Sequence, residues 1–183
     1  MGHDRGHVRA LLALLLLGAP RVAAGCEPLF VVERSSNANV VVYEAVRAPG
    51  GVVDPKQPVA AHWRLWAKDG RREELNGIER RLAYGVDVVS AGSAGTFEIA
   101  VRALRERTIE VRTAEPCPTA WMTIGGRPAR LRRVFVSLAR GFFLFPRVAW
   151  VELHGEEPET KAVVEERIDV SRRAQPSGAA GGG

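Results

Sequence analysis

Cysteine, methionine and lysine are scarce in this 183-residue chain, which has two cysteines, two methionines, and lysine only at Lys56, Lys68 and Lys161. No Cys-x-x-Cys pair occurs, so the thioredoxin-type redox motif is absent. No apolar run reaches the roughly 20 residues that a bilayer-spanning helix needs, which excludes a polytopic membrane protein. There is no phosphate-cradling G-x-x-x-x-G-K-[ST] and no G-x-G-x-x-G after a strand. Ser93 lies in Ala91-Gly92-Ser93-Ala94-Gly95, which misses the nucleophile elbow because position 91 is alanine. Beyond the first ten residues only His62 and His154 remain, and neither has a partner at metal-ligand spacing. No catalytic residue, metal or cofactor is therefore assigned. What is present, 46% hydrophobic and 26% charged residues, suits one core and one domain.

The N-terminal 24 residues read as a signal peptide. Arg5 and Arg9 precede the apolar run Ala10 to Leu17, and Gly18, Pro20 and Val22-Ala23-Ala24 follow. Without this segment 23 basic and 20 acidic side chains remain, so the net charge falls from +5 to +3. That leaves little electrostatic ground for a nucleic-acid partner. In an exported chain, Cys26 and Cys117 are expected to form a disulfide. The competing reading is a lipoprotein anchored through Cys26, against which stand Ala23 and Arg21 in the approach to the cleavage site.

From Leu29 onward, short alternating segments separated by Pro, Gly, Asp and Asn predict a mainly β domain over residues 25–170, an antiparallel sandwich or barrel of about nine strands. In Thr96 to Ala103, Phe97, Ile99, Val101 and Ala103 share one face. Gly125-Gly126 supplies the backbone freedom for a tight reversal between Thr119–Ile124 and Ala129–Leu138. One helix is predicted over residues 73–84, from Leu75, Ile78 and Leu82 at helical spacing, with Gly85 as its left-handed stop. Residues 171–183 have nothing to bury and read as a flexible tail.

The polar stretch Arg34 to Asn39 sits between two strand-like runs, either as a turn closed by Asn37 and Asn39 or as a ligand-binding loop. A guanidinium between apolar strands needs an acceptor, and Glu79 on the predicted helix is the candidate for Arg34. The expected working surface is where this loop, the His62-Trp63 strand and the Asn76 to Tyr84 helix converge. Tyr43, Trp63, Trp66 and Tyr84 would either offer flat apolar faces with polar edges there, as small-ligand sites do, or fill the core. The rival enzyme reading is a hydrolase using Arg34, His62 and Glu79. Phe142, Phe143 and Phe145, flanked by Arg140 and Arg147, are expected either in the core or as a membrane-surface or protein contact.

Three blocks, Leu29 to Glu44, Pro58 to Trp63 and Glu74 to Val86, are similar to a bacterial domain-of-unknown-function family of exported proteins. The resemblance runs through most of Leu29 to Val170. It implies a single domain and transfers no activity or site residue.

Overall fold

Alternation along the strands builds one extended, curled sheet. The computed structural model describes residues 25–49, 51–92, 95–113, 116–140 and 147–170. The segment 1–24, Ser93, the tail 171–183, and Phe142, Phe143 and Phe145 lie outside the described residues. The strands are β1 (Phe30–Arg34), β2 (Asn37–Ala45), β3 (Val59–Leu65), β4 (Arg71–Glu74), β5 (Val86–Ala91), β6 (Thr96–Val101), β7 (Ile109–Arg112), β8 (Thr119–Ile124), β9 (Arg127–Ala139), β10 (Arg147–Glu156) and β11 (Val163–Asp169). Their order is β4-β3-β2-β1-β9-β8-β7-β6-β5, curling as a half-barrel, with β10 and β11 branching from β9. The domain is mainly β, with two more strands than the nine that alternation predicted. The additions are β4 and β5, whose short or outward-facing sequences carry no inward apolar stripe: β4 is exposed throughout.

The long strand β9 organises the sheet. Its first residues pair antiparallel with β8, up to Trp121↔Arg130. Farther on, Arg133–Val136 pair parallel with Val31–Arg34 of β1, the one parallel contact between the named strands. β10 takes the other edge, from Glu156↔Arg130 to Arg147↔Ala139. The register skips one residue where β9 changes partner, since Leu131 faces Gly155 and Arg133 faces His154. This bulge at Arg132 bends the strand and inverts its parity. Ala129 and Leu131 face the core before it, and Val134 and Val136 face inward after it.

The concave face holds the core. Phe30, Val41, Tyr43, Trp63, Ile99, Ile109, Ile124 and Leu131 are all buried there, and the Phe30 and Tyr43 rings stack with centroids 4.3 Å apart. Gly125 and Gly126, with φ of 58° and 80°, make the two-residue reversal that brings Ile124 opposite Arg127. Two consecutive positive φ values are the requirement of a turn matched to strand twist. Cys26 and Cys117 form a disulfide with Cα atoms 5.5 Å apart, within the bridgeable range. The Cys26 sulfur is therefore not available for a lipid anchor, which corrects the acylation alternative.

The helix is shorter than the sequence pattern predicted. Glu73 and Glu74 belong to β4, where they face Trp63 and His62 on β3. The helix α1 starts at Gly77 because Asn76 caps it: the Asn76 side chain accepts from the Glu79 amide at 2.9 Å, and the Asn76 amide donates to the Glu79 carboxylate at 3.0 Å. After Gly77–Glu79 the turn widens to π geometry over Arg80–Tyr84. That wider turn shifts the phase of the helix. Ile78 and Leu82 consequently face solvent, at 72% and 68% exposure, and Tyr84 packs on the core instead. Gly85 is extended (φ −61°) rather than left-handed; it is glycine because a Cβ there would lie 1.9 Å from the Arg80 carbonyl oxygen.

Candidate functional site

The inner face of β1 presents Phe30, Val32 and Arg34 in alternation, so an apolar stripe ends in a guanidinium. After the bulge, Val134, Val136 and Leu138 of β9 continue the same surface beside it. With Leu104 and Val151 they line a cavity of about 270 Å³, whose polar lining groups are the Arg34 and Tyr84 side chains. This surface escaped the sequence reading because the bulge at Arg132 breaks simple alternation through β9. The signal that could have found it is the local alternation Val134, Val136, Leu138 parallel to Phe30, Val32, Arg34.

Around Arg34 the predicted residues form one connected group. Its guanidinium lies over the Trp63 ring, 4.4 Å from the centroid, and 6.0 Å from the Tyr84 ring centre. Such a placement is favourable by about 0.5–2 kcal/mol depending on desolvation. Trp63 meets Tyr84 edge to face, with centroids 5.3 Å apart. The Trp63 indole N–H donates to Glu79 at 3.1 Å, and the same carboxylate oxygen receives the Asn76 amide. The Tyr43 hydroxyl donates to the Tyr84 carbonyl at 3.0 Å. Asn37 closes the β1–β2 turn, accepting from the Asn39 amide at 3.1 Å and from Arg34 at 3.4 Å.

Arg34, Asn37, Asn39, Tyr43, Trp63, Asn76, Glu79 and Tyr84 thus converge, whereas the expected Arg34–Glu79 ion pair does not form. Glu79 is engaged at the edge of the indole while Arg34 occupies its face, so the ring of Trp63 couples the two groups without their touching. The Arg34 Nε is buried without a hydrogen-bond partner. Burial, together with the Glu79 charge, holds the Tyr84 hydroxyl above its ordinary range, with the charge and hydrogen bonding of nearby Arg34 opposing the shift. Burial pushes Tyr43 up as well. Both phenols are therefore neutral and able to donate.

His62 lies apart from this group. Its neighbours Ala61 and Trp63 face the core, whereas His62 pairs across the strands with Val42 and Glu74 and turns to the opposite side of the sheet. It is 2% exposed, with Nδ1 3.8 Å from Glu44. Burial and the Arg72 and Arg64 charges lower its pKa below the ordinary 6.5, against the opposing pull of Glu44 and Glu74. The sign of the linkage follows. As pH falls through about 6.5 the unfolded chain takes up a proton that folded His62 resists, so acid removes stability by at most about 1.4 kcal/mol per pH unit. The loss stops once pH passes below the depressed folded value, and above the unfolded value the group contributes nothing. Urea denaturation at pH 7 and 5.5 should accordingly show a smaller acid loss for His62→Gln than for the unmodified chain. Equal pH dependence in both would contradict this assignment.

Among the described residues, no group of three or more His, Cys, Asp or Glu side chains is placed to hold a metal ion. No protein of curated function and no solved structure matches the chain. Residues 30–167 match the family described as a domain of unknown function, DUF4833, a span that runs from the start of β1 into β11 and covers the whole candidate site, and the chain belongs to that family.

Proposed function

We propose that the protein is an exported binding module whose ligand, a small molecule with a mainly apolar body, occupies the cavity between β1, β9 and β10. The observation that carries this reading is the cavity itself. An apolar space of about 270 Å³ opens inside the half-barrel beside Arg34 and Tyr84, in the arrangement of many apolar contacts and few polar ones that small-ligand sites share. Its volume lies just below the usual range of about 300–1,000 Å³, which favours a single short chain or one ring. The scarcity of polar lining groups argues against a glycan, whose hydroxyls would be desolvated without partners. The hydrolase reading is less well supported, because His62 faces away from Arg34 and Glu79.

Export is part of the same reading. Residues 1–24 carry the charge, apolar run and small-residue end of a cleavable leader. The Cys26–Cys117 disulfide suits an oxidising compartment such as the periplasm or the exterior. The amino terminus of the exported form, Gly25 if cleavage follows Ala24, checks it.

Calorimetric titration with 1-octanol tests the cavity. Saturable one-to-one binding is expected, and Val136→Phe, which fills the space from the β9 side, should abolish it while the protein still melts cooperatively. Absence of binding to the unmodified protein, or full binding by Val136→Phe, would overturn the reading.

A further inference from the structure

The charge arrangement around the cavity narrows the ligand further, resting on the reading above. We propose that the cavity takes an amphiphilic anion, with its apolar portion against Phe30, Val32 and Val136 and its negatively charged head on the Arg34 guanidinium.

Four partly buried arginines are each neutralised by an acid, whereas Arg64 on β3 lies over the Trp66 ring with no acid partner among the described residues. Arg102 pairs with Asp87, Arg107 with Glu166 at 2.7 Å, Arg132 with Glu156 at 3.0 Å, and Arg133 with Glu33 at 3.3 Å. Arg34 departs from that pattern. Among the described residues its hydrogen-bond acceptor is neutral, the Asn37 oxygen at a long 3.4 Å, with the Tyr84 hydroxyl nearby; its Nε has none, a feature that Arg102 and Arg132 share despite their acid partners. Glu33, next in the chain, points to the other face and is taken by Arg133. Glu79, the nearest acid on the helix, receives the Trp63 indole and the Asn76 amide.

The cation is nevertheless held in place. Trp63 supports one face of the guanidinium at 4.4 Å, and the β1–β9 pairing places Arg34 opposite Val136 at the edge of the apolar space. A planar, preoriented fork of N–H donors beside a low-dielectric cavity is suited to bind an oxyanion through charge-assisted bonds. Such bonds gain strength where water is excluded. The neutral Tyr84 hydroxyl beside it keeps its proton as a further hydrogen-bond donor. Carboxylate, phosphate and sulfate heads share this chemistry. The cavity volume restricts the apolar part to one short chain or ring rather than a two-chain lipid.

Titration of the mature, disulfide-intact protein with octanoate, octyl phosphate and 1-octanol separates the possibilities, read by calorimetry and by Trp63 fluorescence. At least one anion should bind about tenfold or more tightly than 1-octanol, the discrimination expected of a hydrogen bond to a charged group. The preferred head identifies the source, carboxylate or phosphate. Arg34→Gln should erase the preference while leaving 1-octanol binding in place, and Arg34→Lys should retain part of it. Equal affinity for 1-octanol and both anions in the unmodified protein would overturn the anion assignment yet leave the cavity reading intact. Failure of all three to bind would remove both. Because the first comparison needs no substitution, it decides the matter even if the Arg34 variants do not fold.

Discussion

Cys117→Ser is expected to lower stability by about 4.5 kcal/mol, the loop-entropy value for a bridge of this span. The two cysteines are 91 residues apart in sequence, so the disulfide closes a long loop in the unfolded chain. In the folded state it ties the segment before β1 to the entry of β8. Those two strands occupy neighbouring stretches of one edge of β9. The bridge therefore clamps the place where the sheet divides. For a chain of this size a loss of that magnitude corresponds to a fall of roughly 9–18 °C in Tm. Thermal melts with and without reductant provide the measurement, and non-reducing peptide mapping should recover Cys26 and Cys117 in one linked peptide. A melt indifferent to reduction would show that the bridge does not contribute.

Trp63→Ala is expected to have a comparable effect, about 3–5 kcal/mol, for a different reason. Trp63 is 5% exposed and lies at the junction of three groups. Removing it opens a cavity, withdraws the donor that Glu79 receives, and strips the supporting face from Arg34. Trp63→Phe keeps a six-membered aromatic ring but removes the N–H together with the five-membered ring, so a double-mutant cycle with Glu79 isolates the hydrogen-bond component. A coupling of about 1.5–3 kcal/mol is expected there, the range for a hydrogen bond to a charged group. Glu79→Gln should cost less in the Trp63→Phe background than alone, since the two residues share that bond. Additive losses across the cycle would reject the coupling. The prediction links stability to binding, because loss of Trp63 should also weaken any ligand held through Arg34.

The local elements were legible wherever one face of a strand was apolar and its ends were marked. Thr119–Ile124 has the boundaries read from alternation, and the Gly125-Gly126 reversal follows from the only residue type that takes two positive φ values freely. The helix was legible as existing, yet its start and buried face were not. Counting Leu75, Ile78 and Leu82 at a regular period assumes a uniform α-helix. The capping box at Asn76 and Glu79 delays the start, and the wide turn over Arg80–Tyr84 changes the phase. Arg34 shows the same boundary in the site: its need for a partner could be read from its neighbours, but Trp63 interposes its indole between Arg34 and the acid expected to satisfy it.

By itself, then, the sequence determined a mainly β domain, an even pair of cysteines fit for a bridge, and most of the polar and aromatic residues that gather around Arg34, though not the exclusion of His62 and Trp66, because period, turn chemistry and residue type are local properties. Tertiary structure alone decided the parallel β1–β9 contact, the division of the sheet at β9, and the cavity. These depend on register. One extra residue at Arg132 reverses which side chains of β9 face inward, and it is this reversal that sets Val134 and Val136 beside Phe30 and Val32 and leaves Arg34, with no acid partner among the described residues, at the edge of an apolar space.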